Sequence, residues 1–453
     1  MRRAMLVRLL CLVAALPFSA AAQEPPAYVP IHNFSGGTPG AQFGSVIARD
    51  GAWLAIGGPD YDQGTDVATG VVSVFRWTGA QWQSVRQLSL ASLAGLAPQS
   101  GARFGAALAL QDNRLLVGCP GCESPRPKAC IIELADPLPA QPVCYALHPA
   151  LISASDPELG IGAAVAMSGT TVAIGAPLAR SSVGGVERGG VAVGRLVGTS
   201  VEWDAILFGP ETAAGNWFGF SLAMAFARTP PAVHGLRSLL VGAPAYVNAG
   251  SLSIAGRAWL YERPSFESGT WTLRAQFDNP TAGLADLMGY SVAIEHPSPE
   301  ETAIVALGAP GRGGGGRVFV HMRGPGDEMF GLDDEIDSGE SEGGDRFGIA
   351  VAVHRGRVLA GADRREVDGH ADQGAAYLLE RRLVPGDTEW QVRQRIEFVG
   401  SNNVNFGRGV EMSGGMLVVG APAISGGLAT AYACDRIFSD GIEAGSGEAC
   451  ALP

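Results

Sequence analysis

The sequence predicts an all-β chain: a seven-bladed β-propeller of four-stranded antiparallel blades, with an amino-terminal strand closing the last blade. Three observations predict it. A two-part motif recurs seven times in register. The residues between its parts alternate with period two, the mark of a strand. And the stretch before the first copy has the form of the strand that the last copy lacks.

The first part of the motif, the opener, reads Phe43-Gly44, Phe104-Gly105, Ile161-Gly162, Phe218-Gly219, Met288-Gly289, Phe347-Gly348 and Phe406-Gly407, at intervals of 61, 57, 57, 70, 59 and 59 residues. The second part is a Gly-x-Pro or Gly-Ala-Asp turn beginning at Gly57, Gly118, Gly175, Gly242, Gly308, Gly361 and Gly420. In five copies that glycine stands 14 residues after the opener; inserts stretch the fourth and fifth copies to 24 and 20. Internal repetition at such a period points to one array rather than the several domains that length alone would suggest.

Four residues after each opener stand Ile47, Leu108, Val165, Leu222, Val292, Val351 and Val410, flanked mainly by alanine or serine. One face of this first strand is bulky and the other small, as a sheet sandwiched between two neighbours requires. A slip of one residue would exchange the faces, so the pattern also sets the register. A second strand ends at the glycine-proline turn ("NRLLVGCP", "TTVAIGAP"), a third follows ("GRAWLYER", "GRVFVHM"), and a fourth leads to the next opener ("WQSVRQLSL", "WQVRQRIEF"). Four short strands in about 60 residues form a propeller blade. The openers then place phenylalanine in the seam between blades and glycine where backbones come close. After "LATAYACDRIF" no fourth strand follows, whereas "AYVPIHNF" precedes the first opener, so residues 28–34 are expected to complete the seventh blade and remove an open edge.

These residues resemble FG-GAP repeats, the seven-bladed propeller units of the integrin α-chain head and of many secreted bacterial proteins. The resemblance covers residues 30–433. It implies an extracellular, non-catalytic propeller, with loops on one face contacting a protein or glycan partner. Integrin-type repeats often carry an acidic calcium loop before the second strand. Here the matching stretches read "ARDGAW", "LQDNR", "AMSGTT", "VHRGR" and "EMSGGM", too poor in oxygen ligands for calcium. The chain thus looks like a calcium-free bacterial variant, with no cofactor expected. Residues 434–453 form a tail, and "CDRIFSDGIEAGSGEAC" resembles an ending seen on secreted proteins of some gammaproteobacteria.

Residues 1–22 read as a signal peptide, with Arg2, Arg3 and Arg8 before an apolar run and a small-residue cleavage site ending at Ala22. A secreted, periplasmic or cell-surface location follows. The apolar run is too short for a membrane span, and no later stretch is long enough. Loss of residues 1–22 removes three arginines and no acid, taking the net charge from −12 to −15. So acidic a chain argues against nucleic acid and anionic lipid as partners. A monomer is expected.

Six cysteines remain after cleavage. Cys434 and Cys450 bracket the tail and are expected to pair. Cys119, Cys122, Cys130 and Cys144 all fall in blade 2, where disulfides suit an exported chain. Cys130–Cys144 is the preferred hairpin bridge, with Cys119 and Cys122 as other partners and a zinc site at Cys119-Pro-Gly-Cys122 as the alternative.

Two acidic loops follow second strands: Asp60, Asp62 and Asp66 in blade 1, and Asp363, Asp368 and Asp372 in blade 6. They are the candidate calcium positions, set against a reading as solvated loops. The run at 331–345 reads as a solvated, flexible turn. Ser221 and Ser291 sit where other copies have alanine and read as packing residues, not nucleophiles. Glu411 replaces that alanine series near the channel, with Arg408 a natural partner. The leading expectation is a binding or surface-interaction module. The alternatives are a propeller-based enzyme (a lyase or glycan hydrolase) and a structural envelope or matrix protein. An enzyme should gather two or more His, Asp or Glu side chains in one concave site.

Overall fold

A computed structural model describes residues 27–434, except 124–127, 148–159, 181–186, 199, 211–214, 229–234, 249–252, 264–269, 282, 299, 341 and 385–386. Residues 1–22 and the tail beyond Cys434 lie outside the described residues. The only helix described is a single 3-10 turn at Leu90–Ser92, and no described helix is long and apolar enough to cross a membrane.

Seven sheets account for the strands. Blade 1 runs Val46–Asp50, Trp53–Gly58, Val71–Trp77 and Trp82–Leu88, each strand antiparallel to the next. The first strands of blades 2 to 7 are Ala107–Gln111, Val165–Ser168, Ser221–Arg228, Ser291–Glu295, Val351–His354 and Gly409–Ser413. Each first strand touches those of both neighbouring blades, which puts all seven innermost, around the channel. Blade 4 adds two short strands, Val247–Asn248 and Ala285–Met288, both paired to its long third strand Ser253–Arg263.

Ring closure is as expected. Tyr28–Ser35 pairs antiparallel with Leu428–Cys434, from Tyr28 opposite Cys434 to Ser35 opposite Leu428. Phe34 then packs on Phe75 and Trp82 of blade 1, with ring centroids 4.6 and 5.8 Å away.

The opener is a β-turn. In all seven copies the N–H two residues after the phenylalanine position donates to the C=O one residue before it, at 3.0–3.2 Å. The opener glycines have φ between 82° and 92°, as the third position of a type II turn demands. Each opener glycine N–H also donates to the carbonyl of its own blade's second-motif glycine, at 2.9–3.1 Å. That second glycine in turn lies against the opener-glycine carbonyl of the next blade, from Gly57 on Gly105 round to Gly420 on Gly44. The two motif parts are therefore the two sides of one repeated inter-blade contact.

The apolar core is divided into seven clusters, each drawing on two adjacent blades. The seam between blades 1 and 2 takes Leu108 from one side and Ala48 from the other, while Ala107 serves the following seam. The bulky-against-small alternation read from the sequence is what fills these seams. Ser221 and Ser291, on the small face, each donate their hydroxyl to the next opener-glycine carbonyl, Gly289 at 2.7 Å and Gly348 at 2.8 Å. They bind blades together.

A second set of inter-blade bonds sits at the other end of the innermost strands. The last side chain of one first strand accepts from the first hairpin of the next blade: Asp50 from Asp112 N–H (2.9 Å), Gln111 from Gly169 N–H (2.7 Å), Glu295 from Arg355 and Gly356 N–H (2.6 and 2.9 Å), and His354 from Gly414 N–H (3.2 Å). At the closing seam Ser413 accepts from the Arg49 guanidinium (2.9 Å).

Two expectations are corrected. The run at 331–345 is not a flexible turn throughout, since Gly331–Ile336 is the fourth strand of blade 5. Asp333 is held by blade 6, accepting from Arg381 at 2.7 Å and from the Trp390 indole at 2.7 Å, and Glu335 by Arg312 of its own blade at 2.9 Å. Glu411 does not pair with Arg408, which lies 3.6 Å from Asp363. The charge facing Glu411 is Arg49, across the closing seam.

Candidate functional site

The openers and the loops after the second strands share one end of the ring. Backbone bonds tie them together, among them Asp60 N–H to Ala41, Gly121 N–H to Ala102, Gly311 N–H to Asp286 and Arg364 N–H to Asp345, all 3.1–3.2 Å. Two rings of residues surround the channel mouth on this opener face. One precedes the openers: Gln42, Arg103, Gly160, Trp217, Leu287, Arg346 and Asn405, with φ from 54° to 63°. The other stands one or two residues before the innermost strands: Ser45, Ala106, Ala163, Phe220, Tyr290, Ile349 and Arg408.

The backbone role is the same in every blade, but the side chains are not. Blades 4 and 5 form an aromatic shelf. Trp217 and Phe220 stack with rings 5.8 Å apart and 17° from parallel, and Phe220 meets Tyr290 at 5.0 Å. Trp217 is 40% exposed. A bulky aromatic in the left-handed region is sterically disfavoured, and its exposure forgoes burial, so local folding alone does not explain this choice. The other side of the mouth is charged. Arg346 makes a two-pronged ion pair with buried Asp363, one arm at 2.9 Å, beside Arg408. Arg103 pairs with Asp60 at 3.0 Å.

The acidic-loop candidates are engaged in local structure. Asp62 accepts from Ala68 N–H at 2.7 Å, and Asp66 from the Ser100 hydroxyl at 3.1 Å. Asp368 and Asp372 occupy turn positions with φ of 49° and 50°, and Asp363 is 1% exposed under its arginines. Among the described residues no group of three or more His, Cys, Asp or Glu is placed to hold a metal ion. In blade 2 the disulfides are Cys119–Cys122 and Cys130–Cys144, which leaves those four sulfurs no thiolate for zinc. Cys434 is disulfide-bonded too, and Cys450 lies outside the described residues.

Two groups of residues escaped the sequence reading. The shelf of Trp217, Phe220 and Tyr290 was detectable only by comparing the copies one residue before and two residues after the opener position. A buried polar cluster of Ser238, Glu262, His296 and Arg323, between blades 4 and 5 toward the opposite face, carries no repeat signal.

No family model matches the chain, and no curated protein does. Solved structures similar to it include the periplasmic gluconolactonase PpgL of Pseudomonas aeruginosa, at 13% identity and a TM-score of 0.47, covering 78% of this chain and 85% of that one. Another is a candidate 6-phosphogluconolactonase of Bacteroides uniformis, at 11% identity and a TM-score of 0.44, with the same coverage of 78% and 85%. Likeness at this level says nothing about what this chain binds or transforms.

Proposed function

We propose that this chain is an exported binding module of the FG-GAP type, and that its opener face holds an extracellular glycan. The FG-GAP reading is supported by the recurrence of both motif parts in register. Export is supported by the character of residues 1–22 and by disulfides in blade 2, which suit an oxidising compartment. The observation that carries the ligand reading is the aromatic shelf. Flat, partly exposed rings beside a channel mouth offer apolar faces to the C–H face of a sugar ring, while Arg103, Asp60 and Arg408, on the other side of the mouth, offer polar groups to hydroxyls elsewhere along the glycan. A rigid ring presenting variable side chains at one end is also how scaffolds usually carry recognition.

The test is a binding screen of the purified protein, without residues 1–22, against arrayed glycans and secreted proteins, with and without chelator. A glycan signal is expected, insensitive to chelator. Trp217→Ala or Tyr290→Ala should weaken it about five- to tenfold, the worth of one aromatic contact of roughly 1 kcal/mol. Capture of proteins only, or a glycan signal untouched by both substitutions, would reject the shelf as the binding element.

A further inference from the structure

The seam between blades 4 and 5 changes character along its length. At its centre Leu260, Phe277, Met288 and Phe319 are all at most 2% exposed. Toward the hairpin face it turns polar. Ser238 and Glu262 stand opposite each other on the second and third strands of blade 4. The pairs at the same register in blades 5 and 7, Ile304–Met322 and Met416–Ala433, are apolar, while those in blades 2 and 6, Arg114–Glu133 and Arg357–Glu380, are ion pairs with side chains 16–57% exposed. Blade 5 contributes His296, just beyond its innermost strand, and Arg323, at the end of its third strand.

All four polar residues are buried, with exposures of 0% for Ser238, 2% for Glu262, 6% for His296 and 8% for Arg323. Glu262 accepts from Arg323 at 2.8 Å and from Arg274 at 3.3 Å, and the Ser238 hydroxyl lies 3.5 Å from both Glu262 and the His296 Nδ1. A cavity of about 450 Å³ opens beside them, lined by Glu262, Arg274, His296 and Arg323, with Thr272 and Glu301 also on its wall. That volume lies in the range of small-molecule sites. A buried ion pair stabilises a fold no better than an apolar pair of the same size. What sets blade 4 apart at this register is a buried charge, Glu262, paired across the seam with Arg323, and folding does not require that burial.

We propose that this cavity is a binding site for a small neutral saccharide, separate from the opener face. The charge pattern selects the class. Glu262, Glu301, Asp327 and Glu328 outnumber Arg274 and Arg323 around the cavity, which opposes an anion. The two guanidiniums flanking Glu262 oppose an ammonium group. Burial holds His296 below its ordinary pKa, so the imidazole is neutral and offers one donor and one acceptor. Guanidinium donors beside carboxylate acceptors suit hydroxyls, which donate and accept at once.

The experiment titrates the full-length mature protein calorimetrically with neutral hexoses, the matching uronates and a simple alkylamine. At least one hexose should bind, with uronates and amine at least about tenfold weaker. Glu301→Gln, at the exposed edge, should weaken that hexose about three- to tenfold. Arg323→Met should abolish binding if its thermal midpoint shows that it folds; Glu301→Gln remains decisive if it does not. Trp217→Ala should leave this affinity unchanged, which separates the site from the shelf. No hexose binding at millimolar concentration, equal binding of uronate or amine, indifference to Glu301→Gln, or loss with Trp217→Ala would each overturn the proposal.

Discussion

A methyl group on Gly348 would stand 2.5 Å from the carbonyl oxygen of Arg317 and 3.1 Å from the Cα of Gly308, on a backbone at φ +86°. Both neighbours are backbone of the preceding blade, so neither can swing aside. Gly348→Ala should therefore destabilise by about 3 kcal/mol or more. Gly356→Ala provides the control, for its φ is +72° but no atom stands within 4 Å of the added methyl. Only the left-handed penalty of about 1 kcal/mol applies there. Denaturant midpoints of the two variants measure the difference, and equal losses would show that the seam is not close-packed. Glu411 raises a different question at the closing seam. Burial pushes its pKa up to about 7, the nearby Arg49 guanidinium only partly pulling it back. Below about pH 4.5 the carboxyl is protonated in both folded and unfolded chains, and its share of stability is fully present. As the pH rises towards about 7 the unfolded chain ionises freely while the folded chain resists, so that share is lost. Glu411→Gln should therefore gain on the parent protein between these pH values, by up to about 3 kcal/mol, less whatever channel water relieves. Unfolding curves that stay parallel from about pH 4 to pH 8 would contradict this.

The strands were readable where backbone geometry imposes a residue type, and unreadable where side chains vary from blade to blade. Opener glycines recur because every copy needs φ > 0 and a close inter-blade approach. The side chains closing the hairpin ring do the same job as Asp50, Gln111, Glu295 or His354, so no residue type repeats. Gly331–Ile336 reads as a charged loop because its acids answer arginines distant in sequence, Arg381 on blade 6 and Arg312 in an earlier loop of blade 5, beyond the reach of local pattern. Blade 2 shows an element held by covalent means. Its fourth strand, Tyr145–Leu147, has only three residues, and Cys144 immediately before it is bonded to Cys130 on the third strand. Replacing both cysteines by alanine should lower stability by about 3 kcal/mol, from the loop entropy of 14 residues. Removing Cys119–Cys122, which closes a loop of 3, should cost about half as much. Chemical denaturation of the two double variants checks the order, and a reversed order would place the constraint elsewhere than on the fourth strand.

At the scale of the molecule the ring has one place where it is not covalently continuous in strand order, the seventh blade, whose outer strand comes from the other end of the chain. This was legible in the sequence because a propeller cannot leave Leu428–Cys434 as an open edge, and "AYVPIHNF" before the first opener resembles the fourth-strand segment "RQRIEF". What the sequence could not show is that the same strand also reaches the neighbouring blade. Tyr28 and Phe34 are 5% and 1% exposed. Tyr28 lies in the seam of blades 6 and 7, and Phe34 in that of blades 7 and 1. A variant lacking residues 23–35 loses a ladder and both aromatic side chains, which together contribute about 3–6 kcal/mol by burial alone. It also exposes the N–H and C=O groups of Leu428–Cys434 to pairing with a second chain. Its thermal midpoint should fall, and light scattering after gel filtration should show dimers or larger species beside the monomer. A synthetic peptide spanning residues 27–36, added in excess, should fill the vacant edge and return the protein to monomer, as strand addition does on other exposed edges. A truncated protein that stays monomeric with an unchanged midpoint would mean that the ring holds without its clasp.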